Sequence, residues 1–274
     1  DEIELINFWI KKGAPWPDGS DKDEVFKVAA LAPRNPALPP APSIYSNPVD
    51  LWTNQYFVKN KIAWPKLVDD RIFLRRLFMD IIGLLPTQLE IDEFSKDSRP
   101  DKRAIWSKKL LDREDDYAMH WLTFWNDALR NDYTGTGYIT NGRYAITDWL
   151  YQSIKSNKPY DQFAREIVAA SGELSDNPPV AWYRQVKDPN AQLEDTAQLF
   201  LGMRLKCAQC HHHPFEKWSQ QDYYSFAAFF SQVGRKPGAQ PGEEMIYAKR
   251  GLPTATNKKT KQSVPPSGLG AAPM

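Results

Sequence analysis

The chain has 274 residues, long for one domain and short for three, so one large or two small globular units are expected. Its 35 Lys and Arg almost cancel 34 Asp and Glu, and a net charge of +1 argues against both a polybasic nucleic-acid binder and an acidic tail protein. Ten Trp stand beside only two Cys: there is much aromatic surface to bury, and a disulfide scaffold is ruled out.

No run of about 18 apolar residues occurs, so no membrane span is expected in this chain. It opens on Asp1, without an initiator Met or a basic-then-apolar leader, and so reads as a processed product or a fragment.

In chain order, Leu5, Ile6 and Trp9 share one helical stripe within residues 2–12, and Gly13, Pro15 and Pro17 stop it. Six prolines in the sixteen residues from Pro33 to Pro48 exclude a helix or a central strand and predict an extended tether. Beyond it the pattern turns helical. Leu74, Leu77, Phe78 and Ile81 line one face, Gly83 closes that helix, and Thr87 with Glu90 has the spacing of a capping box. Further helices are expected at about 101–112, 114–131, 142–156, 159–171 and 189–206, and the last opens at Ser219 with Asp222. Residues 234–274 hold seven Lys and Arg against two Asp and Glu, a balance of +5 that leaves −4 on residues 1–233. There Glu244–Lys249 is expected as a short strand with Gln262–Val264 as its partner, before a loose terminus.

Both cysteines fall in Cys207-Ala208-Gln209-Cys210-His211, the C-x-x-C-H signature of covalent haem c attachment. The spacing serves the chemistry: two thiols add to the two haem vinyl groups as thioethers, and the adjacent imidazole reaches the iron. Two other readings compete. Zinc could use Cys207, Cys210 and two of the three consecutive histidines, but structural zinc sites draw ligands from two separated knuckles. A thioredoxin-like dithiol needs a βαβ setting that a helical chain does not offer.

The segment Cys207–Phe230, with its Cys-Ala-Gln-Cys-His-x-His-Pro-Phe-Glu-Lys-Trp core, resembles the hallmark of a planctomycete c-type cytochrome family long catalogued only as a domain of unknown function. Three other stretches share the resemblance: Leu74-Arg75-Arg76 through Asp80, Gly83, Leu84, Pro86 and Thr87; Trp121 and its neighbours; and Asn157–Asp161 with Phe163, Arg165 and Glu166. It covers roughly residues 48 to 250. Family members commonly carry Asp where this chain has His212, which makes that histidine incidental. The resemblance implies that residues 1–17 are the tail helix of a preceding cytochrome-like domain and 18–47 a Pro-rich linker. Residues 48–233 would form an all-α, irregular multi-helix haem c domain, and 234–274 a basic extended segment, with a short β-hairpin at most, leading to a further domain. It also implies an exported protein of the periplasm or cell surface.

His211 is the proximal iron ligand by adjacency. His213, two residues away and tied to Pro214, is poorly placed for the opposite face of the same ring; hydrogen bonding or contact with a haem edge suits it better. His120 lies about 150° from the Ala118, Trp121, Leu122, Trp125 and Leu129 stripe at 100° per residue. It reads either as a solvent-facing histidine or as the distal ligand, on a second helix face with Phe124. Met119 and Met203 are the alternatives, both read first as packing. The expected function is single-electron transfer by one covalent haem c between redox protein partners or adjoining cytochrome domains, without nucleic acid. The alternative is a haem oxidoreductase with an open distal site acting on peroxide or an organic or polysaccharide-derived substrate.

Overall fold

The computed structural model describes residues 1–12, 36–40, 47–131, 143–239 and 243–271. The expected helix stop at Gly13 and most of the proline tether lie outside them. Helix α1 (Glu2–Lys11) is capped by Asp1, whose carboxylate accepts the Ile3 N–H, and buries none of its side chains. Of the tether, Pro39 is buried, and with Pro40 it shares a cleft with Trp52, Gln55 and Tyr56 of α2 (Pro48–Asn60). Asn47 caps α2, and Pro48 occupies its first position, where a missing N–H costs nothing.

Helices α3 (Asp70–Ile82), α4 (Gln88–Lys96) and α5 (Lys102–Leu111) enclose a small core of Leu74, Phe78, Ile82, Phe94, Trp106 and Leu110. Each large side chain withdrawn from water contributes about 1.5–3 kcal/mol, and Phe94 meets Trp106 edge to face at 5.6 Å. The capping box forms in both directions: Glu90 N–H donates to the Thr87 hydroxyl, and the Glu90 carboxylate accepts the Thr87 N–H at 2.7 Å. Asp70 receives Lys102 at 2.6 Å and Arg103 at 2.7 Å, and these partners hold its carboxyl below the usual range.

The larger core gathers the rest: α6 (Glu114–Ala128), α7 (Tyr144–Lys155), α8 (Tyr160–Val168), α9 (Ala181–Gln185), α10 (Pro189–Phe200) and α11 (Gln220–Ala227). Helix α6 packs along α7 on one side and against α3 on the other, and so joins the two cores. A short 3-10 turn at Pro178–Val180 runs into α9, and Val180, Ala181, Trp182 and Tyr183 are all buried; no apolar periodicity in the sequence marks so short an element. Helix α10 stops at Phe200, six residues before the expected end, because Gly202 takes a left-handed φ of 67° and the Met203 amide turns back to the Ala197 carbonyl.

The fold is mostly helical, as expected, and closes with short antiparallel strands. Their pairing corrects the expectation. β2 (Glu244–Ala248) pairs not with residues 262–264 but with β1 (Val233–Pro237), through a local hairpin closed by the Gly238 N–H on the Glu243 carbonyl at 2.7 Å. Its other edge is taken by Gly172, which exchanges both backbone bonds with Ile246 and buries that side chain. With both edges filled, β4 (Ser263–Val264) finds its partner in β3 (Ala255–Thr256) instead. A short loop costs less closure entropy than the longer one that the expected pairing required. No helix among the described residues is long and apolar enough to cross a membrane.

Candidate functional site

After α10 the chain forms a 3-10 turn at Lys206–Gln209, which carries the motif. Leu205 and Ala208 face the core, and this inward pull turns Cys207 and Cys210 outward: both thiols are exposed and free. The Cys207 carbonyl accepts the amides of Cys210 and His211, so the two cysteines and the histidine occupy one compact turn. Helix α11 holds that turn from behind. The Gln209 carbonyl accepts both the Gln220 side-chain amide at 3.0 Å and the Tyr224 hydroxyl at 3.1 Å. Burial pushes the Tyr224 phenol up; the Lys258 backbone amide opposes this, and the neighbouring Cys210 adds to it. Tyr223, on the same helix, donates to Glu194 of α10 at 2.7 Å, and burial with that carboxylate drives its pKa far up. Both phenols therefore stay neutral donors.

The partners of the ring nitrogens assign the tautomers. His211 Nδ1 lies 2.6 Å from the His212 carbonyl, which can only accept, so Nδ1 carries hydrogen and the neutral ring keeps its lone pair on Nε2. This is the arrangement found in metal-binding histidines, where the second nitrogen is tied to a carbonyl. His213 is used differently. Its Nδ1 accepts the Phe215 N–H at 3.2 Å and its Nε2 donates to the Arg204 carbonyl at 2.8 Å, so both nitrogens are consumed in closing the loop. His213→Ala is expected to cost about 1 kcal/mol, since it removes two hydrogen bonds at an exposed loop where water can take the ring's place; urea unfolding followed by circular dichroism measures it.

Cys207, Cys210, His211 and His213 thus lie along one loop. His120 sits elsewhere. Its half-buried ring lies on Gly83, at the end of α3, and edge-on to Trp121 at 5.2 Å. Met119 is exposed, and Met203 packs against the larger core. Among the described residues no three His, Cys, Asp or Glu side chains converge as a metal-binding group. Haem asks less of the protein here: two accessible thiols and one imidazole nitrogen, and all three are present on one turn.

Gln220 and Tyr224, one helical turn apart, were not singled out in the sequence; their spacing places both on one face of α11, but nothing local says that this face meets Gln209.

A family model matches residues 48–235. The chain belongs to the PSCyt2 family, described as a protein of unknown function (DUF1549). The PSCyt2 match begins at the first residue of α2 and ends inside β1, so β2, β3 and β4 lie beyond it. No curated protein and no solved structure matches the chain.

Proposed function

We infer that this PSCyt2 chain is a c-type cytochrome: one covalently bound haem c, transferring single electrons between redox partners outside the cytoplasm. The reading is carried by one observation, that Cys207, Cys210 and His211 share an exposed turn in which Nδ1 of His211 is tied to a carbonyl and Nε2 is left as the basic nitrogen. The Cys207 and Cys210 thiols would each add across one vinyl group, sulfur to one carbon and hydrogen to the other. His211 would bind the iron through Nε2, and the hydrogen bond to the His212 carbonyl fixes the orientation of the ring. Haem c supplies an iron that takes up and releases one electron. Gln220 and Tyr224 hold the turn's backbone in place, so the thiols and the imidazole keep their spacing while the oxidation state changes.

The test is expression in a host that attaches haem c, followed by intact mass and a pyridine haemochrome spectrum. The expected product is red and heavier than the polypeptide by one haem, and Cys207→Ala/Cys210→Ala is colourless at the bare mass. A colourless wild-type protein at its bare mass overturns the reading. Carbon monoxide binding by the reduced native protein would instead favour a haem oxidoreductase with an open distal side.

A further inference from the structure

We propose that the lysine-rich turn between β3 and β4 is a docking surface for an acidic protein that exchanges electrons at the Cys207–His211 turn; this rests on the cytochrome reading. The cytochrome reading leaves the local charge of residues 234–274 unused, and the fold sets the hairpin that bears three of its lysines on the helix that holds the motif. Helix α11 is the link. Its Tyr224 hydroxyl donates to the Gln209 carbonyl, and the helix packs on the Lys206–Gln209 turn. Strands β3 and β4 pack on α11, and the Ser267 N–H donates to the Ser225 carbonyl at 3.1 Å, which pins the hairpin there.

The turn itself is built rigidly. Asn257 is 2 % exposed, and its side-chain oxygen accepts the amides of Lys259 at 3.0 Å and Thr260 at 3.3 Å. Its backbone pairs with Gln262 and Lys261. Lys258, Lys259 and Lys261 are left exposed, and none of them takes part in an ion pair among the described residues. Exposed Lys206 on the motif and Lys217 in the next loop add to the same sign. The carboxylates of this stretch are held in place: Glu216 accepts the Trp218 indole N–H, and Asp222 completes the Ser219 cap.

Unpaired positive charges around a site of electron exit raise the encounter rate with an acidic surface and set its orientation. A compact acidic patch fits better than an extended polyanion, because residues 1–233 carry 28 Lys and Arg against 32 Asp and Glu. A long nucleic acid or an anionic membrane would meet that negative body as well as the lysines.

The probe is a reduced plant-type [2Fe–2S] ferredoxin, an acidic protein of low potential, passing one electron from its cluster to the ferric haem with no bond made or broken. At 20 mM salt the second-order rate is expected to fall at least tenfold in Lys258→Glu/Lys259→Glu/Lys261→Glu, and the wild-type rate to fall similarly at 300 mM salt. Oxidation of the reduced haem by the cationic tris(phenanthroline)cobalt(III) should speed up in the same variant, with the haem spectrum and unfolding midpoint unchanged. Rates that shift less than twofold in a haem-bearing protein overturn the docking surface alone, whereas a protein that carries no haem overturns the cytochrome reading and the electron exchange with it. Sedimentation of the wild type, but not the variant, with phosphatidylserine vesicles at 150 mM salt would reassign the lysines to a membrane.

Discussion

Gly83→Ala is expected to destabilise the protein by about 2–5 kcal/mol, and most of the excess over an ordinary glycine change should vanish when His120 is also replaced. Gly83 follows α3 with φ of 69°, where a side chain costs about 1–2 kcal/mol. A Cβ there would lie 2.8 Å from Cε1 and 2.9 Å from Cγ of His120, and nearer still to Nδ1, so the ring or the turn must move, at a further cost of about 1–3 kcal/mol. In a His120→Ala background only the backbone cost remains, and the double-mutant cycle should show a coupling of at least about 1 kcal/mol. Urea unfolding of the four proteins measures it; costs that add to within about 0.5 kcal/mol would show that the ring is not the obstacle. The same His120→Ala protein separates two roles. A wedge between α6 and the end of α3 predicts lost stability with an unchanged haem spectrum, whereas a distal ligand predicts conversion from low spin to high spin. The geometry supports the wedge.

His120 also shows where sequence reading stops. Periodicity placed it off the main stripe of α6, and it is indeed on a second face, but what covers that face is decided by α3, some forty residues earlier in the chain. Local signals fared better because their partners are local. The Thr87–Glu90 and Ser219–Asp222 caps each satisfy backbone donors within one turn, and both form. Pro189 takes the first position of α10, behind a capping Asp188. Pro159 is one residue earlier than expected, as the cap of α8 rather than its first turn. The strands failed for the converse reason: the residues of β2 were recognisable, but Gly172, which fills its second edge, is about seventy residues away. The motif is similar. Its cysteines and His211 are legible because they form a recognisable C-x-x-C-H spacing, whereas the grip of α11 on Gln209 depends on tertiary contacts.

Trp218 anchors the loop that follows the motif in the larger core, and Trp218→Ala is expected to cost about 3–5 kcal/mol. It is 2 % exposed within the larger core, its carbonyl accepts the His213 N–H at 2.9 Å and its indole donates to Glu216 at 2.6 Å. Removing the indole opens a cavity in that core and breaks the bond to Glu216, while the backbone bond from His213 keeps its acceptor. Trp218→Phe keeps most of the apolar area and loses the indole bond, so it should cost only about 1–2 kcal/mol. Urea unfolding separates the two, and hydrogen exchange at the His211 and His213 amides should rise in the Ala variant by the factor its stability loss implies. A loss below about 1 kcal/mol for Ala would mean that the loop stands without Trp218. Attachment offers a second readout. On the cytochrome reading the thioether bonds would depend on Cys207 and Cys210 and not on Trp218, so the intact mass of the Ala variant expressed in a haem-attaching host should still include one haem even as its unfolding midpoint falls, which would distinguish residues that anchor a cofactor from one that supports their loop.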